Sequence, residues 1–486
     1  MSTSFRALRA TVALAAAVLS FGTTGAARAE NLRDVPLGSR TAAMGGAGVA
    51  SGSDAAMPFL NPAGVAGTPN DVLSVSANVY SGLGATVDGY YAPGGLDPRY
   101  GDATIDEDSL AQKHLAVMPS AVTFFKRFGA DDDPYRHVLA LSLMAPSFNQ
   151  YDVDGSFRAA GSSHRLTADT LGQDRFRQLF AGATYALSAA DRRFRFGASL
   201  FATYADLLAD VHQLTLTGER DAGDDTIATS NDRSIVDVTS LGLTAAVGAQ
   251  VRLFDALWVG VAAESVGIPV WGTGRTQRAR DVASFDSATG ESTQDRLDSQ
   301  GELDDARISR PFRFSAGLAY DRPDAFALAV DIHVMPAHGT FREWSGTAHV
   351  VRAGSGSELM EGDEPIDYRR GTRSTVNYSV GGEVHVSRKT TLRAGVYTDR
   401  DVVEDQSPGQ ETRNARLDWT VFTLGVGHSF GPVGTSYGVA YRLGDGTAPT
   451  RDVFGSDPNR FIDVQYTAHG VMLMLSGAVT TDEVKE

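Results

Sequence analysis

Two acidic residues of this sequence each precede a histidine by two positions, Asp331 before His333 and Glu383 before His385. In an extended strand, residues two apart lie on one face, so each pair would place a carboxylate beside an imidazole. Such a pair could orient the base of a serine hydrolase or supply two ligands to a metal ion. No serine is spaced to join them, and no third ligand stands at a recognisable spacing. The pattern therefore favours polar packing, with a hydrolase kept as a minor alternative.

The segments that carry these pairs show a period-two alternation of apolar and polar residues, which is typical of β-strands with one apolar face. One clear series has apolar residues at every second position, with Phe201 as the exception between them: Phe194, Phe196, Ala198, Leu200, Ala202 and Tyr204. Fourteen such segments are predicted, near residues 71–81, 113–127, 136–146, 175–188, 193–205, 236–253, 256–265, 311–321, 325–335, 374–387, 390–399, 417–430, 433–443 and 463–479.

The connections between these segments alternate in length. Long polar connections follow the odd segments, and tight turns such as Arg322 to Asp324 and Gly431-Pro432 follow the even ones. Unequal loops at the two ends, with an even strand count, indicate an outer-membrane β-barrel rather than a soluble sandwich or propeller, which stays the alternative. Aromatic residues near strand ends, among them Phe125, Trp258 and Trp419, would then form interfacial girdles.

The beginning of the chain indicates export. Arg6 and Arg9 precede an apolar stretch from Thr11 to Phe21, and Ala27-Arg28-Ala29 follows as a cleavage site. We therefore expect a signal peptide over residues 1–29, a barrel over 71–479 and a charged tail over 480–486. The chain contains no cysteine, so disulfides, thiolate nucleophiles and cysteine metal sites are excluded.

The formal charge of −16 makes nucleic acid an unsuitable partner, because no block of Lys and Arg is available to neutralise phosphates. Acidic residues gather instead in Asp102 to Asp108, Asp131 to Asp133, Asp221 to Asp225 and Asp363 to Glu364. These stretches are expected to be solvated loops.

The predicted inward face of the barrel mixes charged residues of both signs with glycine and alanine. We expect these charges to form a paired polar network rather than a conducting ring, or else the polar end of a site for an amphipathic ligand. The network comprises Arg313, Asp331, His333, Glu383 and His385.

The segment from Glu30 to Asn70 lacks alternation and is rich in glycine. Apolar residues such as Met57 and Leu60 argue against a solvated leader, so we expect a compact plug, or hatch, inside the barrel over residues 30–70. A flexible tail is the alternative.

Several stretches resemble the FadL family, the transport proteins for long-chain fatty acids and hydrocarbons. The amino-terminal signature of that family resembles Gly38 to Ala50, Asp54 to Ala56 and Asn61 to Gly64 here. A late hairpin, Asn377 to Glu383 followed by Leu392 to Asp399, is also similar.

The resemblance implies a plugged channel, without cofactor or catalysis, that takes up hydrophobic molecules, binds them inside and releases them sideways into the membrane. It assigns the hatch role to Asn61, Pro62 and Ala63, and Arg393 is our choice for a ligand carboxylate. The implied partners are the ligand, outer-membrane lipids and the outer-membrane assembly machinery, and the chain is expected to be a monomer.

The sequence departs from the family where apolar outer helices are expected, because Gly218 to Arg233 and Arg275 to Arg307 are polar. The substrate is therefore open between fatty acids and hydrocarbons. The chain also ends on a charged tail rather than an aromatic residue. A barrel that serves as a scaffold or shuttle in protein secretion, as some relatives do, is the second function to consider, with Ala263 to Arg310 as its binding loop.

Overall fold

The computed structural model describes residues 31–32, 35–68, 70–129, 133–189, 192–221, 224–322, 325–355, 359–404, 416–455 and 461–480. The expected signal peptide lies outside these ranges, and so does the expected charged tail apart from its first residue.

The described residues form eighteen strands in one antiparallel sheet. The first nine are β1 (Val72–Asp88), β2 (Thr104–Phe128), β3 (Arg136–Ala160), β4 (His164–Ala189), β5 (Phe194–Asp221), β6 (Asp224–Arg252), β7 (Leu257–Glu264), β8 (Ile268–Asp286) and β9 (Ser292–Ala306). The other nine are β10 (Arg313–Arg322), β11 (Phe326–Met335), β12 (His338–Gly354), β13 (Met360–Thr372), β14 (Thr375–His385), β15 (Thr390–Asp399), β16 (Arg416–Phe430), β17 (Val433–Arg451) and β18 (Phe461–Thr480).

Fourteen of the strands close into a barrel. β1 pairs with both β2 and β18, and the ring runs from β1 through β7, then β10, β11 and β14 to β18. Each ring strand falls on one of the fourteen predicted segments, so the predicted all-β barrel is confirmed. The start of β1 pairs with the end of β18, so both lie at one end of the barrel with the tight turns. We call this the turn end and the opposite one the loop end.

The remaining strands, β8, β9, β12 and β13, extend the wall at the loop end. β8 pairs with β6 above β7, and β9 and β12 join it to β13. We call this extension, together with the upper halves of β3 to β6, the collar. β6 has 29 residues, which gives a length of about 95 Å at about 3.3 Å per residue. A strand needs roughly 10 residues to cross a bilayer, so most of β6 extends beyond that length.

The expectation of outer loops was wrong over much of the collar. Gly218 to Arg233 and Arg275 to Arg307 lie mainly in strands, as do Asp363 and Glu364. Oppositely charged residues face each other there, for example Arg233 and Asp210 at 2.7 Å. The alternation is lost in β8, β9 and β13, whose side chains are mostly exposed or half-buried. An inward apolar row persists on the upper half of β3 through Val153, Phe157 and Ala159.

The predicted alternation of outward apolar and inward residues is confirmed in the lower part of the ring strands, as β5 shows. Phe196 and Leu200 on β5 point outward with 50% and 59% of their surface exposed. Arg195, between the outward residues, stacks its guanidinium 4.3 Å from the Trp258 ring inside. Phe201, the exception in the series, is fully buried inside.

The girdle prediction was wrong for three aromatic residues. Phe125, Trp258 and Trp419 point into the barrel and are buried there, whereas Tyr320 and Phe430 are exposed outward. Strand parity decides this difference, since residues one apart face opposite sides.

Residues 35–68, which we call the amino-terminal segment, form α1 (Arg40–Ala43), α2 (Met57–Leu60) and a 3-10 helix (Pro62–Gly67). The segment contacts inward-facing residues of β5, β6, β11, β14 and β16, so it lies within the ring. No helix among the described residues is both long and apolar enough to cross a membrane.

Candidate functional site

Asn61 fixes the amino-terminal segment to itself and to the wall. Its side-chain oxygen accepts a hydrogen bond from the Ala63 amide at 3.1 Å, which caps the 3-10 helix that begins at Pro62. Its amide nitrogen donates to the carbonyls of Val49 at 2.7 Å and Ala249 at 3.2 Å. Asn61 is fully buried, so all three bonds are shielded from water. The Asn61 side chain thus holds this turn through bonds to backbone groups alone.

A belt of inward glycines on neighbouring strands receives the segment. A Cβ atom at Gly260 would stand 2.1 Å from the Val49 oxygen, and one at Gly395 would stand 2.3 Å from the Gly45 nitrogen. Backbone therefore packs on backbone with no room for a side chain. The belt consists of Gly197, Gly248, Gly260, Gly317, Gly381, Gly395 and Gly425.

Asp331 binds the segment as an anion. One carboxylate oxygen accepts hydrogen bonds from the amides of Gly48 at 2.6 Å and Val49 at 2.9 Å. Two consecutive amides that converge on one oxygen make a charge-assisted contact. Thr423 on β16, three strands further round the ring, adds a contact: its hydroxyl accepts from the Gly45 amide and donates to the Ala43 carbonyl.

Glu383 joins the segment to the wall through two arginines. Arg40 of α1 lies 2.7 Å from one of its oxygens, and Arg393 of β15 lies 3.0 Å from the other. Arg393 therefore already holds a protein carboxylate, which argues against its expected role with a ligand. Arg40 also lies 3.5 Å from Asp321. His385 has a different hydrogen-bond partner, the Thr391 hydroxyl at 3.3 Å.

His333 has a serine partner that sequence spacing did not reveal. Its Nδ1 lies 2.8 Å from the Ser315 hydroxyl on the neighbouring strand, and both residues are buried. The expectation that no serine joins this histidine was wrong, because cross-strand register rather than sequence spacing brings Ser315 there. Asp331, two residues before His333, directs one carboxylate oxygen to the amides of Gly48 and Val49.

Glu264, Arg310 and Arg313 form a deeply buried ion cluster. Glu264 lies 2.7 Å from Arg313 and 3.4 Å from Arg310, and these side chains are about 5% exposed or less. Both guanidinium groups stack near the Phe59 ring of α2, and Arg313 donates to the Phe59 carbonyl. Paired charges of this kind hold structure rather than conduct ions.

Sequence reasoning missed Glu264 and Arg310. Glu264 has the inward parity of β7, so alternation could have revealed it. Arg310 precedes β10 in a break between strands, where parity carries no information.

The apolar interior has two parts. At the turn end, α2 packs against β2 to β5 through Phe59, Phe125, Phe180 and Phe201. At the loop end, Phe157 and Phe454 stack at 4.4 Å in a second cluster with the buried Tyr91, Trp419 and Tyr466. Burial raises the pKa of the Tyr91 hydroxyl, which donates to Thr170.

Among the described pairings, the ladder between β2 and β3 is interrupted, and we call this interruption the gap. Phe148 to Tyr151 within it pair with β4. The two strands pair up to Lys113 and Asp152, and pairing resumes at Ala121 and Met144. β3 also bulges against β4 between Met144 and Ser147. The amide of Val35 donates to the Pro146 carbonyl at this bulge, so the amino-terminal segment reaches the gap.

A small cavity of about 20 Å³ lies behind the gap. Apolar residues of the segment line most of it, together with Pro146 from β3 and Tyr397 from the opposite wall. The gap therefore adjoins an apolar interior. Within the described ranges, no group of three or more His, Asp or Glu side chains could hold a metal ion.

Comparison with known proteins gives similarity at the level of structure only. No family model matches the chain, and no curated protein matches it. A Pseudomonas aeruginosa FadL homologue superposes with a TM-score of 0.56 at 15% identity, covering 93% of this chain and 100% of that chain. The toluene transporter TbuX of Ralstonia pickettii gives 0.51 at 15% identity, with 93% and 99% covered.

A TodX deltaS2S3 mutant, a monoaromatic hydrocarbon channel, gives a TM-score of 0.56 at 14% identity, with 91% of this chain and 99% of that chain covered. At these low identities, the superpositions show a shared fold over nearly the whole length of each chain. The chain thus has the fold of the FadL-type transport channels.

Proposed function

We propose that this protein is an outer-membrane channel of the FadL type for passive uptake of hydrophobic molecules, which it releases sideways into the membrane. The gap between β2 and β3 carries the proposal, because it adjoins an apolar cavity in a barrel whose outer face is also apolar. A hydrophobic solute that leaves through such a gap enters hydrocarbon without crossing water. Uptake of this kind needs no energy source.

The amino-terminal segment acts as the hatch that closes the axial path. Its bonds to Asp331, Glu383 and Thr423 and its packing on the glycine belt attach it to β5 through β16. The gap lies on the other side of the ring, between β2 and β3. On the side of the gap the segment meets β2 to β5 through apolar side chains, so the path from the interior to the gap is apolar.

The experiment measures entry of toluene and of palmitate into cells that display the barrel in the outer membrane. Because the chain contains no cysteine, a designed disulfide is free of competing thiols. Ser120 and Ala145 are the first positions of the gap, next to the Ala121 and Met144 rung of the β2–β3 ladder. In the S120C/A145C variant, oxidation should hold the gap closed and lower hydrophobic uptake several-fold, and reduction should restore it.

The matched control is T123C/S142C, which joins β2 and β3 at a rung that is already paired. Oxidation of this variant should leave uptake unchanged. Equal uptake by the oxidised and reduced forms of S120C/A145C would contradict lateral release through this gap. Uptake of a hydrophilic solute of similar size as fast as toluene would contradict a hydrophobic channel altogether. The ratio of toluene to palmitate uptake decides the substrate class.

The collar favours one second function, a scaffold for secreted proteins. Its strands carry ion pairs across neighbouring strands, such as Arg278 with Asp232 at 2.9 Å and Arg352 with Glu364 at 2.8 Å, which gives a stiff polar platform. Removal of β8 and β9 should abolish such binding and leave toluene uptake intact. If the variant without β8 and β9 loses toluene uptake but keeps protein binding, the channel function is favoured over the scaffold.

A further inference from the structure

Four neighbouring strands of the barrel wall break at one height. The chain leaves regular strand structure at residues 265–267, 307–312, 336–337 and 373–374, where the membrane barrel meets the collar. Below the break Glu264 pairs with Arg313, and above it Ala306 pairs with Trp344. Strand pairing is lost between these rungs, and a pocket of about 250 Å³ lies there.

The pocket is apolar on its walls and basic at both ends. Val266, Pro311 and Phe341 supply apolar surface. Arg307 and Arg342 are exposed at the outer end, and Arg310 is buried at the inner end. The described lining includes no acidic residue, so the charge that faces the pocket is positive.

The outer arginines keep donors for a ligand. Arg307 contacts Asp305 through Nε at 2.7 Å, and Arg342 contacts Asp367 through Nε at 2.9 Å. A guanidinium carries five N–H donors, so the Nη groups remain to bind an anion. Planar two-point contact with a carboxylate is the geometry that arginine favours.

The inner arginine separates the pocket from the barrel interior. Arg310 is bound to Glu264 at 3.4 Å and to Gln178 at 2.8 Å, and it stacks 5.4 Å from Phe59. These contacts hold the Arg310 guanidinium in a fixed position at the inner end of the pocket.

We propose that this pocket is a binding site for small aromatic carboxylates, with the ring between Pro311 and Phe341 and the carboxylate on Arg342 and Arg307. A cavity of about 150 Å³ is enough to hold benzene, so 250 Å³ accommodates one ring with its carboxylate. The site is separate from the gap between β2 and β3, and it takes an anion rather than a neutral solute. It goes beyond the proposed uptake function and does not depend on it.

The test titrates the purified full-length barrel, in an uncharged detergent at pH 7, with 4-fluorobenzoate observed by fluorine NMR. The uncharged 4-fluorobenzamide is the companion probe. Arg342→Gln should weaken fluorobenzoate binding about ten-fold and leave the weak amide binding unchanged. Phe341→Ala should weaken binding of both probes.

Arg369→Gln is the matched control. Arg369 pairs with the same Asp367, at 3.0 Å, and its side chain is 50% exposed against 51% for Arg342, but it does not line the pocket. R369Q should bind fluorobenzoate as the parent does. Equal losses in R342Q and R369Q, amide binding as tight as that of the acid, or no saturable binding by the parent would each overturn the proposal. Toluene uptake is measured separately, so failure here leaves the channel proposal standing.

Discussion

Substitution of alanine for Gly260 tests whether the glycine belt holds the hatch. The new Cβ would stand 2.1 Å from the Val49 oxygen, so the segment would have to move by about 1.4 Å to restore an ordinary separation of about 3.5 Å. Val49 oxygen also accepts bonds from Asn61 at 2.7 Å and Gln250 at 3.1 Å. A shift of that size strains both.

Overpacking of this kind destabilises the packed arrangement by about 1–3 kcal/mol. A cost of about 2 kcal/mol raises the population of a displaced hatch roughly thirty-fold. The assay is single-channel conductance in planar bilayers, where G260A should open far more often than the parent. Gly82→Ala on β1 is the control, because its Cβ would meet nothing within 4 Å. If G260A and G82A conduct alike, with both folded by circular dichroism, the belt does not hold a hatch.

Two further predictions concern the hatch turn and the collar. Asn61→Ala removes three buried bonds and should raise the leak of small solutes through reconstituted barrels, and unchanged conductance would count against a gating role for Asn61. A hydrogen bond to the Asp363 carboxylate raises the pKa of His349, so the contact stabilises β12 against β13 at low pH and is lost as pH rises through that raised pKa. Histidine-selective NMR should give a midpoint above about 6.5 that falls in D363N, and a midpoint unchanged by D363N would contradict the pairing.

The fourteen ring strands were predictable because the outer face of each is apolar. The series on β5 alternates for this reason, and even its exception, Phe201, follows from the structure, since the interior beside α2 is apolar as well. The collar was not predictable from the same signal. Most side chains of β8, β9 and β13 are exposed or half-buried, and charge pairs such as Arg233 with Asp210 can form at any register that places opposite charges together.

The interior site was predictable in part. Asp331 and Glu383 have the expected inward parity, but sequence could not show that their partners come from the amino-terminal segment. The partnership of Ser315 with His333 depends on register between strands. Arg310 lies in a strand break, so only the folded chain brings it to Glu264.

The barrel interior is divided into a side with buried ion pairs and a side with apolar side chains, which explains how both coexist in one lumen of the proposed channel. Buried charge is concentrated in pairs such as Glu383 with Arg393 and Glu264 with Arg313. Each of these glutamates is shared between two arginines, and such fixed ion pairs hold the amino-terminal segment or the wall in place. On β2 to β5 the interior is apolar and meets the gap. In the proposed channel, a solute that prefers hydrocarbon follows the apolar side to the gap, while the ion pairs hold the amino-terminal segment on the other side.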